Sequence, residues 1–182
     1  MARKSSRDAI LDATERVIAR QGLACTTLEA VALEAGVSKG GLFYHFSTKK
    51  DMLMQLLERY GQRFSQLRDQ ISADLPDTPA RLLKATIMAS LDHPAKGAGK
   101  VSNLVALLDD VELREKISHM KKRLYLEVAS ASPCPEKVTL ALLVTDGLWV
   151  TSMFNEAIID ETFKNRVVAE LMSIISSFEK EM

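Results

Sequence analysis

The stretch from Thr26 to Leu53, TTLEAVALEAGVSKGGLFYHFSTKKDML, predicts a short helix, a tight turn, a second short helix and the start of a longer one. Thr26 and Glu29 have the spacing of a capping box, in which each side chain accepts a hydrogen bond from a free backbone amide. Gly36 follows the last apolar position, where a left-handed residue ends a helix, and Ser38 can cap the next one. Two short helices separated by about three residues form the layout of a helix-turn-helix.

The second short helix, residues 39–46, is too polar to exist for packing alone. Leu42 and Phe46 are four residues apart and can face a core. Six positions are left to face outward: Lys39, Gly40, Gly41, Phe43, Tyr44 and His45. Each glycine costs roughly 1 kcal/mol relative to alanine in a helix, a cost that is understandable if the backbone must approach another surface closely. Lys49 and Lys50 then begin the next helix, where the macrodipole favours an anion such as phosphate.

The run VSKGGLFYHFSTKKDML resembles the recognition-helix signature of the TetR family of transcriptional repressors, and the similarity extends back through TTLEAVALEAG to the first helix. Beyond this stretch the chain is similar to the family only in its helical layout. Two positions depart from the common pattern: Gly41 stands where a small hydroxyl residue is frequent, and Phe43 where a tyrosine is usual. The operator sequence of a relative therefore does not transfer to this chain.

The resemblance, together with helix-turn-helix geometry, implies a DNA-binding surface. Lys39, Gly40 and Gly41 lie at the front of the recognition helix, within reach of base edges, and Phe43 can press on a thymine methyl group. Contacts to phosphate position the protein without reading sequence, and they are expected from Thr27, Tyr44, His45 and Lys49. Ser38, at the helix cap, belongs to the same surface. For His45 the alternative is a capping or packing role near the helix end.

Charge is unevenly distributed along the 182 residues. The formal net charge is zero, yet residues 1–50 hold eight Lys and Arg against five Asp and Glu. A mildly basic N-terminal part on an acidic remainder is compatible with DNA binding through a local patch. The composition, 47% hydrophobic and 26% charged, is that of an ordinary globular protein.

Helical periodicity in the rest of the chain predicts an all-α fold of about nine helices. Residues 1–50 are expected to form the helix-turn-helix DNA-binding domain, whose first helix is 6–21 and is ended by Gly22. Residues 51–182 are expected to form a helical ligand-binding and dimerisation domain. A long fourth helix, about 48–73, spans about 39 Å and joins the two. The further predicted helices are 80–91, 101–108, 112–131, 136–157 and 161–180, with a loop at 93–100.

The last two predicted helices carry broad apolar faces. The helix at 136–157 is apolar on more than one side, and the last helix has a stripe from Val167 to Phe178. This pattern, and the family resemblance, indicate that the two helices pair with their copies in a homodimer. Such a dimer would present two recognition helices to successive major grooves and prefer a palindromic operator. The alternative is that the same surface closes the core of one protomer.

The C-terminal domain is expected to hold a mostly apolar pocket between helices. Trp149 stands out because a buried indole N–H needs a partner, and an acid such as Asp146 beside an aromatic ring can hold a cationic, drug-like ligand. A structural hydrogen bond is the alternative role of Asp146. The candidate lining residues are Phe64, Leu67, Met88, Leu91, Leu107, Met120, Leu124, Asp146, Trp149, Met153 and Phe154.

Several other classes of protein are disfavoured. The three histidines, His45, His93 and His119, are dispersed and form no triad or zinc pattern, so we expect neither an enzyme nor a metal or other cofactor. No apolar run reaches the roughly 18 residues of a membrane span, and two distant cysteines fit free thiols in the cytoplasm. The partners expected are a double-stranded DNA operator, a small-molecule effector and a second copy. A constitutive or architectural DNA-binding protein without an inducer is the competing hypothesis.

Overall fold

The computed structural model describes residues 5–92, 106–151 and 159–179, and every regular element within them is a helix. These nine helical segments confirm the predicted all-α fold. They are α1 (Ser6–Gln21), α2 (Leu28–Ala35), α3 (Lys39–His45), α4 (Lys49–Asp74), α5 (Arg81–Asp92), a helical turn at residues 106–109 (α6), α7 (Val111–Ser130), α8 (Pro135–Thr151) and α9 (Glu161–Glu179). The predicted loop at 93–100, the beginning of the predicted sixth helix and the end of the eighth lie outside the described residues.

The boundaries of α1 to α4 follow from their caps. Gly22, at φ 82°, ends α1, and Gly36, at φ 67°, ends α2 in the left-handed conformation that glycine adopts without strain. Ser38 caps α3 by accepting a hydrogen bond from the Gly41 amide at 3.0 Å. Thr48 does the same for the Asp51 amide at the start of α4, also at 3.0 Å. These caps confirm the helix-turn-helix layout predicted from the sequence.

The predicted capping box at the start of α2 is wrong by one residue. Thr27, not Thr26, is the N-cap, and its hydroxyl oxygen accepts from the Ala30 amide at 3.1 Å. Thr26 is buried, and its hydroxyl donates to the Gly22 carbonyl at 2.8 Å. The loop that leaves α1 therefore uses the Thr26 side chain for its own closure. Glu29, the other half of the predicted box, is hydrogen-bonded to Lys39 instead.

Among the described residues the chain forms two compact units: residues 5–60 with 106–117, and residues 61–92 with 118–151 and 159–179. The first unit has a core of buried side chains from α1 to α4 and the loop after α1, with Leu113 of α7. Its largest members are Phe46, Ile10, Leu11, Leu42 and Met52. The helix α4 is continuous from Lys49 to Asp74 and contributes to both units. The functional boundary after residue 50 stays a prediction.

An arginine fixes the first half of α4 to α1. The Arg59 guanidinium is 11% exposed and pairs with Asp12 at 2.8 Å and with Glu15. It also donates to the Asp8 carbonyl at 3.3 Å. Removal of a partly buried arginine would leave two carboxylates without their cation, and such losses typically cost about 3–5 kcal/mol. The Arg59 network therefore holds α1 and α4 as a rigid frame for the helix-turn-helix.

The second unit has its own core, built by α5, α7, α8 and α9. Ile87, Val128, Val138 and Ile175 are at most 2% exposed in this cluster. Arg68 of α4 is buried beside it and pairs with Glu127 of α7 at 3.0 Å. None of the helices in the described ranges is long and apolar enough to cross a membrane.

Candidate nucleic-acid interface and effector region

One side of α3 is buried and the other is open to solvent. Leu42 and Phe46 are fully buried in the first core, whereas Phe43 is 44% exposed and Tyr44 is 86% exposed. The outward side of α3 therefore carries two neighbouring aromatic rings that the core does not cover. The sequence pattern predicted these inward and outward positions correctly, and the outward side offers aromatic rings to a partner.

The two glycines of α3 leave the first turn of this helix without side chains at positions 40 and 41. A Cβ atom on Gly40 would have no neighbour within 4 Å, so the packing of the protein does not require glycine there. A Cβ atom on Gly41 would lie 3.3 Å from the Ser38 hydroxyl, which is tight but adjustable. Neither glycine has a positive φ. Both glycines are poor helix formers, and the close approach of another molecule, expected from the sequence, stays a prediction.

Lys39 is held in place by two neighbours. Its ammonium donates to the Glu29 carboxylate at 2.6 Å and lies 5.8 Å from the centre of the Phe43 ring. The hydrogen bond from Lys39 lowers the pKa of Glu29 below its usual value. Glu29 is a member of this surface that the sequence reasoning placed elsewhere, in a capping box. The sequence feature that could have indicated this ion pair is an acid in the first turn of α2, ten residues before a lysine in the first turn of α3.

Lys49 points toward the loop between α1 and α2. Its ammonium donates to the Leu23 carbonyl at 2.9 Å and to the Ala24 carbonyl at 3.4 Å. Burial lowers the pKa of Lys49. An ammonium carries three hydrogens, so these two carbonyls leave one for a phosphate. Lys49 thus has a structural role that the sequence did not reveal, and its phosphate contact stays a prediction.

The remaining predicted DNA-binding residues surround α3. Thr27 uses its oxygen as the α2 cap, which leaves the hydroxyl hydrogen able to donate to a phosphate. His45 is half-buried at the end of α3, and its ring meets the Tyr44 ring edge-on with 5.0 Å between centroids. All nine predicted residues belong to the first compact unit: Thr27, Ser38, Lys39, Gly40, Gly41, Phe43, Tyr44, His45 and Lys49.

The predicted effector-binding residues fall into different environments. Leu91 and Leu124 pack against the core of the second unit, and Met88 is 40% exposed. Phe64, Leu67, Met120 and Trp149 are half-buried in that unit. Leu107 is not with them, because it packs against the core of the first unit. Met153 and Phe154 lie outside the described residues.

The Asp146 carboxylate already has two partners within the protein. Its carboxylate accepts a hydrogen bond from the Tyr125 hydroxyl at 2.9 Å and pairs closely with the Lys121 ammonium. Burial, together with this carboxylate, raises the pKa of Tyr125. The structural hydrogen bond, one of the two roles considered for Asp146, is therefore present and ties α7 to α8. A cationic ligand at Asp146 would have to displace Lys121.

Two shallow clefts lie along α7. One, of about 520 Å³, borders none of the predicted effector residues and is lined by His119, Lys122, Arg123, Leu126, Glu127 and Ser130. The other, of about 400 Å³, includes Asp146 together with Lys121 and Tyr125. Both are open to solvent, whereas small-molecule sites bury most of the ligand. Neither cleft is lined by any of the apolar candidates.

The helix α8 has two apolar sides. Val138, Ala141, Leu142 and Leu148 are buried. A second set faces solvent, with exposed fractions between 36% and 63%: Leu140, Leu143, Val144 and Val150. Gly147 lies among them, and a Cβ atom there would have no neighbour within 4 Å. On α9, Ile174 is 48% exposed and Phe163 is 45% exposed. The excess of apolar residues in α8 is thus not absorbed by the core of the protomer.

Two family models match the chain. The one described as bacterial regulatory proteins, tetR family, matches residues 10–56, and the one described as tetracyclin repressor-like, C-terminal domain, matches residues 80–176. The second alone covers more than half of the 182 residues.

Curated relatives match over about half of the chain. The HTH-type transcriptional regulator AcrR of Shigella flexneri is 30% identical over 98 residues, which are 50% of this chain and 46% of the relative. The HTH-type transcriptional repressor BepR of Brucella suis is 34% identical over 90 residues, 48% of this chain and 42% of the relative. The chain therefore spans about half the length of the curated relatives it matches.

Solved structures share the fold over nearly the whole length. The multidrug binding protein EbrR, in complex with malachite green, superposes with a TM-score of 0.69 at 22% identity and covers 92% of this chain and 98% of its own. A transcriptional regulator from Aquifex aeolicus superposes with a TM-score of 0.66 at 21% identity and covers 93% of this chain and 99% of its own. At these identities the likeness concerns the fold alone.

Proposed function

The chain belongs to the TetR family of bacterial transcriptional regulators, and from this we propose that it is a ligand-responsive repressor. It acts as a homodimer that binds a palindromic operator in the major groove and is released by a small, mostly hydrophobic effector. The observation that carries the proposal is the outer side of α3, where a bare glycine front adjoins exposed Phe43 and Tyr44. That side has the size and chemistry to enter a groove, and it serves no packing purpose in the protomer.

Binding to DNA divides between reading and positioning. The front of α3 brings Lys39 and the Phe43 ring to base edges, where lysine pairs with guanine O6 and N7 and the ring contacts thymine methyl groups. Thr27, Tyr44, His45 and the third hydrogen of Lys49 bind phosphates. The start of α4 adds the positive end of its dipole, as expected of an anion site. Catalysis and a cofactor have no part in this proposal.

A homodimer through α8 and α9 is supported by the exposed apolar side of α8. One face of α8 holds five of these positions: Leu140, Leu143, Val144, Gly147 and Val150. A bare glycine there allows a second helix to approach closely, and burial of the apolar side chains supplies the free energy of association. The twofold axis of such a dimer presents two α3 helices to major grooves about 34–36 Å apart.

The effector is proposed to bind in the second unit, beside α4, α5, α7 and α8. Half-buried apolar side chains from these helices, among them Phe64, Met120 and Trp149, would line the site after rearrangement. The relative EbrR binds malachite green, which makes an aromatic, drug-like molecule a reasonable first probe. Because Lys121 already neutralises Asp146, we expect a largely apolar effector rather than one anchored by its charge.

Release from DNA is proposed to act through α4. This helix is continuous from Lys49 to Asp74 and belongs to both units, so an effector beside its second half can displace the half that carries the helix-turn-helix. Two recognition helices must meet successive grooves together, and a shift of a few Å is on the scale that spoils the fit. A change from 1:99 to 99:1 in the DNA-binding population requires about 5.5 kcal/mol of differential affinity.

The test begins with selection of binding sites from random duplex DNA, followed by titration of operator with protein, and of protein with candidate effectors. A palindromic selected site with half-sites one helical turn apart is the expected result. By linkage, operator must weaken effector binding by the factor by which effector weakens operator binding. An effector that binds free and operator-bound protein equally would contradict induction and favour the constitutive repressor. Absence of any selected site would contradict the DNA-binding proposal itself.

A cytoplasmic location is proposed because operator DNA is found there.

A further inference from the structure

The beginnings of α2 and α3 are joined by an ion pair on the outer surface of the first unit. The Lys39 ammonium lies 2.6 Å from the Glu29 carboxylate, and the two side chains are 61% and 63% exposed. The same ammonium lies 5.8 Å from the centre of the Phe43 ring. An acid is thus bound to the lysine nearest the front of the recognition helix, on the surface where negatively charged phosphates are to be met.

We propose that Glu29 is a specificity-determining residue: its carboxylate withholds Lys39 from phosphates, so that this lysine adds to binding only where the DNA offers a guanine. The inference rests on the proposed function, because it concerns the same DNA-binding surface. It assigns to α2 an effect on sequence discrimination, although the residues expected to touch base edges lie on α3.

Affinity for DNA without an operator comes from lysines and arginines that release counterions from phosphates. Lys39 has its charge balanced by Glu29 in the free protein, so the pair brings no net positive charge to the backbone. The hydrogen bond from Lys39 also lowers the pKa of Glu29, which keeps this carboxylate ionised when DNA approaches. Non-specific binding therefore gains nothing from Lys39.

On operator DNA, Lys39 meets base edges as well as phosphates. Guanine presents O6 and N7 as two acceptors in the major groove, and a lysine contact to them is directional. An exposed ion pair is weak, so such a base contact can replace it. The Phe43 ring keeps the ammonium at the front of α3 during the exchange, because the face of an aromatic ring attracts a cation. A phosphate replaces the Glu29 carboxylate by another single anion with no gain in charge pairing, whereas guanine offers the ammonium two acceptors at once, so the exchange favours the base over the phosphate.

The other acid of α2 has a different position. Glu34 pairs with Arg16 at 2.7 Å and with Arg20 at 2.9 Å, both on α1. That cluster ties α2 to α1 and involves none of the α3 residues expected at base edges. The acid–base arrangement at Glu29 is therefore specific to the front of the recognition helix, and the effect on DNA discrimination is assigned to Glu29 and not to Glu34.

The test is the substitution Glu29→Gln, which keeps the size of the side chain and removes its charge. Lys39, released from Glu29, then adds one phosphate contact. The slope of log affinity against log salt concentration on non-operator DNA should steepen by about 0.9, and the affinity for that DNA should rise about fivefold at 0.15 M salt. Operator affinity should change less, because Lys39 is already on a base. The ratio of operator to non-operator affinity should therefore fall, by up to about fivefold.

Two comparisons make the result decisive. Glu58→Gln is the matched control: it makes the same charge change and breaks a similar ion pair, with Lys116 at 2.8 Å, away from α2 and α3. If Glu29→Gln alters the ratio no more than Glu58→Gln, the inference is wrong. In a Lys39→Gln background, Glu29→Gln should leave the affinity for non-operator DNA unchanged. A rise of about fivefold in that affinity in this background would contradict the inference, because Glu29 would then act by repelling phosphates and not through Lys39. A wild-type protein without operator preference would instead contradict the proposed function.

Discussion

At the scale of single residues, Gly40 separates the needs of folding from the needs of binding. Its Cβ position is open within the protein, and alanine is the better helix former by about 1 kcal/mol. Gly40→Ala should therefore raise the melting temperature slightly and weaken operator binding at the same time, because the added methyl group lies where α3 enters the groove. Calorimetry and operator titration check the two effects. An unchanged operator affinity would remove Gly40 from the contact surface.

Lys49 has a structural role and a proposed role in DNA binding. Its ammonium bonds the Leu23 and Ala24 carbonyls, so Lys49→Ala leaves those carbonyls without their partner and should lower the melting temperature. Loss of the proposed phosphate contact should also weaken operator and non-operator DNA alike and flatten the salt slope by about one unit. A lowered melting temperature with an unchanged salt slope would restrict Lys49 to its structural role.

At the scale of an element, the start of α4 depends on an ionised acid. Hydrogen bonds from the Gln55 side chain and from the Ser47 amide lower the pKa of Asp51 below its ordinary value. A carboxyl with a depressed pKa in the folded state contributes stability above the unfolded pKa of about 4, and this contribution is lost as pH falls through the folded value. The first turn of α4 should therefore be sensitive to acid.

The expected result is a pH-dependent difference between wild type and Asp51→Asn. Wild type should melt at the higher temperature at neutral pH, and the gap should narrow as pH falls below about 4. Thermal melts from pH 7 to pH 3 measure this gap, with Asp77→Asn as the control, since Asp77 is 88% exposed outside the first unit. A gap that stays constant over this range would show that the charge of Asp51 is not what stabilises α4.

At the scale of the whole molecule, the prediction concerns assembly. Gly147→Leu places a large side chain where the protomer has open space, so the fold should persist while a closely packed second helix is excluded. Ile174→Glu introduces a charge at a half-exposed position of α9; a dimer that buries this position would leave the charge unpaired. Both variants should lower the dimer fraction in sedimentation or light scattering at micromolar concentration.

One control for assembly changes an exposed residue and the other a buried one. Leu126→Glu makes an apolar-to-charged change at a 60% exposed position of α7 and should leave assembly unchanged. Ile175→Glu buries a charge in the second core and should unfold the protein. If Gly147→Leu and Ile174→Glu both remain dimeric with wild-type circular dichroism, the interface between protomers lies on another surface.

The sequence by itself determined the elements and their faces. Gly22, Gly36, Ser38 and the apolar spacing mark helix ends and inward positions by local rules of φ, capping and periodicity, and these rules act within a few residues. The all-α fold, the helix-turn-helix and the buried and exposed sides of α3 followed from them. The extra apolar side of α8 was also predictable, because one helix face cannot hold that many apolar residues.

Only the tertiary structure decided which side chains meet across elements. Three contacts join residues at least ten positions apart: the ion pair of Glu29 with Lys39, the hydrogen bonds of Lys49 to the loop after α1, and the contacts of Asp146 with Tyr125 and Lys121. The separation of Leu107 from the other effector candidates is of the same kind. Periodicity identifies the face on which a residue lies, but the angle and register between packed helices determine its partner, and those arise from the fit of whole surfaces.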